Sequence, residues 1–143
     1  MSVTWRGRSE RGVVLIASAL AIVALCLFAG LVIDAGMLQQ QRGQAQIAAD
    51  AAAAAGAMQM LSGQNESWAV NAAVDAARWN GFQNDRRTAV TATPDAGEKR
   101  VRVQIVRNVS TAFLSILGVR SMPVEVAATG AVAKNGKAVV LAQ

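Results

Sequence analysis

Few residues in this chain could carry out chemistry. It has nine carboxylates and one thiol, Cys26, and no histidine or tyrosine. Without histidine, the commonest general base and metal ligand is gone, and with it Ser-His-Asp triads and imidazole metal sites. One cysteine forms neither an internal disulfide nor a thiolate cluster. No catalytic, cofactor-binding or metal-ligating residue can be named, and the expectation is a non-enzyme with no cofactor and no small-molecule substrate. The residues whose type and place call for explanation are instead two glycines and an aspartate, Gly30, Asp34 and Gly36, at the end of a long apolar run. A carboxylate at a lipid edge is expensive unless hydrated or paired. It can mark the water boundary, or meet a positive charge or a helix N-terminus of a partner and so select a register between helices. Glycines beside it let a neighbouring backbone come close.

The element that positions them is the run itself. Val13 to Ile33 is twenty-one residues without a charge, in a chain of 143 residues that is 53% hydrophobic and 16% charged. As a helix it is ~32 Å long, against a hydrocarbon core of ~30 Å. A cleaved secretory signal would have an apolar region of roughly 7–15 residues ending in an A-x-A-like site. Here the run ends in Ile33-Asp34-Ala35-Gly36-Met37. The expectation is an uncleaved single-pass anchor, with membrane lipid as its first partner and Cys26 as a small apolar side chain within it. Arg6, Arg8 and Arg11 precede the run, which places the N-terminus in the cytoplasm and everything beyond Asp34 on the outer side of the cytoplasmic membrane. The outer part carries eleven basic and eight acidic residues, a mild surplus without a dense basic patch or stacking aromatics, so no nucleic-acid partner is expected.

Helical patterning continues past the membrane. Asp34 to Leu61 is alanine-rich and free of proline. Gln39, Arg42, Gln46 and Asp50 share one face, and Ile47, Ala51, Ala54, Met58 and Leu61 form an apolar stripe on another. One helix is predicted from about Val13 to about Leu61. Ser62-Gly63-Gln64-Asn65 breaks it. Asn65 is a predicted N-cap for a second helix reaching about Asn80, with Gly81 at its C′ position and Trp68 and Trp79 as core or groove fillers.

From Arg87 the period becomes two. Thr88–Thr93 is a predicted strand, Pro94-Asp95-Ala96-Gly97 a turn, and Arg100–Val106 a strand with Val101, Val103 and Ile105 to one side. Ala112–Leu117 is a short helical turn closed by Gly118. Pro123 to about Ala131 is a third strand with Val124, Val126 and Ala128 facing inward, and the residues after Lys134 are a weak fourth arm or a tail. The fold class is α+β: a membrane-spanning N-terminal helix extends into a small antiparallel sheet domain, a lollipop. The expected division is 1–12, a cytoplasmic basic N-terminus; 13–33, the transmembrane helix; 34–61, its extracytoplasmic continuation; and 62–143, a small extracytoplasmic α+β domain.

The order of these parts resembles a known family. Arg11-Gly12, the apolar span, Asp34-x-Gly36, then Arg42-x-x-x-Gln46-x-Ala48-Ala49-Asp50-Ala51-Ala52-Ala53 and Ala55-Gly56-Ala57 resemble the N-terminal domain of TadE/TadG-like proteins of Tad (Flp) pilus assembly. Asn80-Gly81, Val101-x-Val103, Phe113-x-x-Ile116-Leu117-Gly118 and Val124-x-Val126-x-Ala128 extend the resemblance to about Ala133, although the Asp34–Ala57 stretch is its specific part. The resemblance implies a minor-pilin-like component of a bacterial surface filament used in adhesion and biofilm formation. The partners it implies are the Flp pilin, other minor pilins, membrane platform proteins and, indirectly, a secretion ATPase. It also makes Gly12 a candidate processing point. The acid that processed pilins carry five residues into the mature helix is Ala17 here, and the chain is expected to keep its basic N-terminus. The alternative from a different class is a membrane-anchored periplasmic binding or sensor domain of the same shape, unrelated to pili.

Overall fold

The computed structural model describes residues 7–132 and 138–142. Residues 1–6 of the expected basic segment 1–12, and residues 133–137 and 143, lie outside these. A single helix, α1 (Gly7–Leu61, 55 residues), leads the chain. It begins earlier than the apolar run predicts and ends where the Ser62-Gly63 break predicts. At 1.5 Å per residue it is about 80 Å long. A second helix, α2 (Glu66–Trp79), folds back on it. Four strands follow: β1 (Thr88–Asp95), β2 (Arg100–Ser110), β3 (Ser121–Val132) and β4 (Ala138–Ala142). They form an antiparallel meander in the order β1-β2-β3-β4, with a 3-10 turn at Leu114–Leu117 between β2 and β3. The α+β lollipop is the observed architecture.

The caps explain the element ends. The Asn65 side chain accepts the Trp68 N–H at 3.0 Å, closing the start of α2. At the other end Gly81 takes φ +86°, its N–H reaches the Arg78 carbonyl at 2.9 Å, and the Phe82 N–H reaches Ala77 at 3.0 Å. This is the paired-bond glycine ending of a helix, and Phe82 is buried behind it. The β1–β2 turn is one residue pair later than predicted. Pro94 and Asp95 remain in β1, opposite Val101 and Arg100, and the reversal falls on Ala96–Lys99. Proline needs no ladder hydrogen bond at the end of an edge strand, so it does not force the turn.

The core is built from alanine on one side and β-branched residues on the other. Ala45, Ala48, Ala49, Ala52, Ala53 and Ala57 of α1 are fully buried against Val101, Val103, Ile105 and Ala128 of the sheet, with Ala69, Ala73 and Ala77 of α2 closing the side. Side chains this small let backbones approach closely. A Cβ placed on Gly130 of β3 would run into the Ala53 carbonyl of α1, and one on Gly56 would lie 2.9 Å from a Val101 methyl.

Two sequence expectations are corrected here. The apolar stripe at Ile47, Met58 and Leu61 does not face the sheet: these side chains are exposed, Ile47 by 65% and Met58 by 60%. Where α1 lies closest to the sheet, at Ala45–Ala57, the buried face is alanine and glycine, and Met60 is buried only beyond it, so the helix turns its smallest face inward, not its most hydrophobic one. For the same reason Trp68 and Trp79 do not fill the core. They are 60% and 81% exposed, and α2 buries the alanines between them.

Candidate functional site: an aspartate clasp at the outer end of the apolar run

The site is built where α1 leaves its uncharged segment. Val13, Leu15, Ile16, Leu20, Leu25 and Phe28 all stand more than half exposed, so this part of the helix presents hydrocarbon on every side. Among the described residues it is the one helix long and apolar enough to cross a membrane. The next residue after the run, Asp34, is 1% exposed. One carboxylate oxygen accepts the Ala112 N–H at 2.8 Å. The other accepts those of Phe113 at 2.9 Å and Leu114 at 2.7 Å. Three convergent backbone donors, two of them just ahead of a helical turn, satisfy a buried carboxylate without a counter-charge.

The donors come from the β2–β3 connection. Its base is closed by the Thr111 N–H on the Arg120 carbonyl at 3.1 Å, and by the Thr111 hydroxyl on Val119. Inside it, Ile116 donates to Phe113, Gly118 to Ser115 and Val119 to Leu114, and the Ser115 hydroxyl donates to Ala112. Gly118 sits at φ +92°, the left-handed position that ends the turn. The sequence predicts a helical turn over Ala112–Leu117 closed by this glycine. In the structure the turn is 3-10 and spans Leu114–Leu117.

The flagged residues fare differently. Gly30 and Asp34 are engaged by the chain's own β2–β3 connection: Phe113 lies so close over Gly30 that a Cβ there would collide with its ring. Around it runs an apolar groove between Ala24, Leu27, Phe28 and Leu31 on α1 and Phe113, Leu114 and Leu117 on the connection. Among the described residues, a Cβ on Gly36 or on Gly12 would meet nothing within 4 Å. Sequence reasoning missed the connection as Asp34's partner. The available signal was the apolar composition of Phe113-x-x-Ile116-Leu117, unusual for a loop in water.

Elsewhere the polar groups serve the fold. The Asp85 carboxylate accepts the Arg87 and Thr88 N–H groups, both at 2.7 Å, at the start of β1. These bonds, that to Arg87 foremost, hold its pKa below the ordinary carboxylate value, and the charge of Arg107 adds to them. Asp95 is lowered likewise, chiefly by the Glu98 N–H and then by Arg100. Arg107 stacks over Phe82, 5.0 Å from the ring centroid. Cys26 is exposed on the apolar run. No group of three potential metal ligands occurs among the described residues.

The chain matches no curated protein and no solved structure. It does match one family, and the match supports a pilus-related role. It stops before α1 ends and does not enter the sheet. Over residues 12–59, which hold the apolar run, the clasp aspartate and the buried alanines, the chain matches the model of a family described as putative Flp pilus-assembly TadE/G-like.

Proposed function

We propose that this protein is a membrane-anchored, minor-pilin-like structural component of Flp-pilus assembly. The observation that carries the reading is the continuity of α1: one unbroken helix supplies both a lipid-length apolar segment and the alanine face on which the whole sheet is seated. Such a stem transmits the position of the head to the membrane without a flexible joint. The family match falls on this stem. Residues 1–12 lie in the cytoplasm, 13–33 cross the inner membrane, 34–61 continue the stem outside it, and 62–143 form the periplasmic or extracellular head. Gly12 is retained with the basic N-terminus. The protein holds no catalytic centre and acts by contact.

Those contacts are with lipid and with other pilus components: the pilin, minor pilins, platform proteins and, through them, the secretion ATPase. Gly36 supports the reading, because its open face offers a close approach that no described residue of the chain uses. Gly30 and Asp34 contribute through the connection they clasp. The test is affinity purification of the full chain, tagged after Gln143, from membranes of cells making the filament. Recovery of pilus components with it supports the reading. Recovery of the intact chain alone, from cells with normal filaments, overturns it.

A further inference from the structure

We propose that the β2–β3 connection, residues 112–119, dips into the outer leaflet beside α1, and that the acyl chains of that leaflet fill the groove between them. The head would then meet the membrane at two points, the helix and this loop, with Asp34 as the clasp that joins them. The inference rests on the membrane-anchored reading and goes beyond it.

Depth is the first argument. The groove is lined by Leu27 and Ala24, seven and ten residues inward from Asp34. Along a helix these are ~10 and ~15 Å below the boundary, in a hydrocarbon layer ~30 Å thick. Leu117 lines the same groove and Phe113 lies over Gly30, four residues inward, so the loop reaches below that boundary whenever α1 spans the bilayer. Composition is the second. Ile116 is 74% and Leu117 71% exposed, on a loop that is not free to turn them inward because three bonds to a buried carboxylate hold its base. The third is hydrogen bonding. Backbone entering hydrocarbon must satisfy its polar groups without water. The N–H groups of Ala112, Phe113 and Leu114 are taken by Asp34, and those of Ile116, Gly118 and Val119 by carbonyls of the loop itself. The Thr111 and Ser115 hydroxyls are spent on loop carbonyls too. Arg120, exposed where the chain leaves the loop, stands at the level of Thr111, suited to lipid phosphates.

The test uses the full chain with Cys26→Ser, reconstituted in phosphatidylcholine–phosphatidylglycerol vesicles. An environment-sensitive fluorophore is attached in turn through Leu117→Cys, Leu25→Cys and Thr93→Cys. Expected is a blue-shifted probe at 117, quenched by nitroxide on lipid acyl chains and shielded from aqueous iodide, as at 25, while the probe at 93 on the sheet is quenched by iodide alone. Adding Asp34→Ala should abolish lipid quenching at 117 and leave it at 25. A probe at 25 in lipid with that at 117 in water overturns the loop insertion and leaves the anchor standing. Both in water overturns the anchor and the insertion together. Unchanged lipid quenching at 117 in the Asp34→Ala chain overturns the clasp.

Discussion

The carboxylate of Asp34 on α1 lies 2.7 Å from the backbone N–H of Leu114, eighty residues further along the chain. That bond and its two neighbours tie the connection at the end of β2 to the helix at the first residue after the apolar run. Replacing Asp34 by Ala leaves three buried donors without an acceptor. The expected outcome is selective: hydrogen exchange should lose protection at Ala112–Leu114, while the amides of β2 around Val103 keep theirs. Equal loss across the sheet would mean that the clasp supports the whole head and not one loop.

The choice of buried face on α1 is open to direct measurement. Ala49→Leu or Ala53→Leu inserts bulk where the sheet touches the helix, and should cost about 1–3 kcal/mol. Ile47→Ala removes a larger side chain from an exposed place and should stay within about 0.5 kcal/mol. Thermal unfolding of the full chain in detergent, followed by near-ultraviolet circular dichroism, orders the three variants. Ile47→Ala as the most damaging would restore the stripe read from hydrophobicity.

Acid should weaken the head. Asp85 and Asp95 titrate below their ordinary value because backbone N–H groups, those of Arg87 and Glu98 first, bind their charged forms. For a lowered folded value, the stabilisation is complete above the unfolded value of about 4 and is lost as pH falls through the folded one. The melting temperature should therefore drop below about pH 4. The Asp85→Asn, Asp95→Asn double variant should melt lower than wild type at neutral pH and lose less on acidification. Parallel curves for the two proteins would remove these carboxylates from the account.

Much of this architecture was legible in the sequence. The lipid-length run, the Asn65 cap, the Gly81 and Gly118 endings and the inward alternation of Val101, Val103 and Ile105 are local signals, and each appears where its spacing puts it. What was not legible depends on how closely elements approach. Hydrophobicity points to Ile47 and Met58 as the inner face of α1, and to Trp68 and Trp79 as fillers for α2. The distance at which Gly130 meets Ala53 leaves no room for a larger side chain at that point of the helix. Asp34 was visible as a residue out of place at a lipid edge. Its partners were not, because three backbone N–H groups nearly eighty positions away leave no mark in side-chain types.

Gly36 separates a tolerated interruption of the helix from a contact surface. A leucine there has open space within the chain, so Gly36→Leu should insert, fold and accumulate as wild type. Helix propensity even favours it by roughly 0.5–1 kcal/mol. If neighbouring stems pack along this face, the variant should lose co-purification with other pilus components while keeping its melting temperature. Undiminished co-purification at normal protein level would leave the glycine without a partner.

The central claim is that this chain takes part in building a surface filament. The most direct measurement is a count of filaments per cell by electron microscopy, in a strain lacking the chain and in the same strain with it restored. The account predicts that filaments are lost without the chain and return with it, and that a chain cut before Asp34, lacking the span, does not restore them. Normal filament numbers in the strain lacking the chain would contradict it.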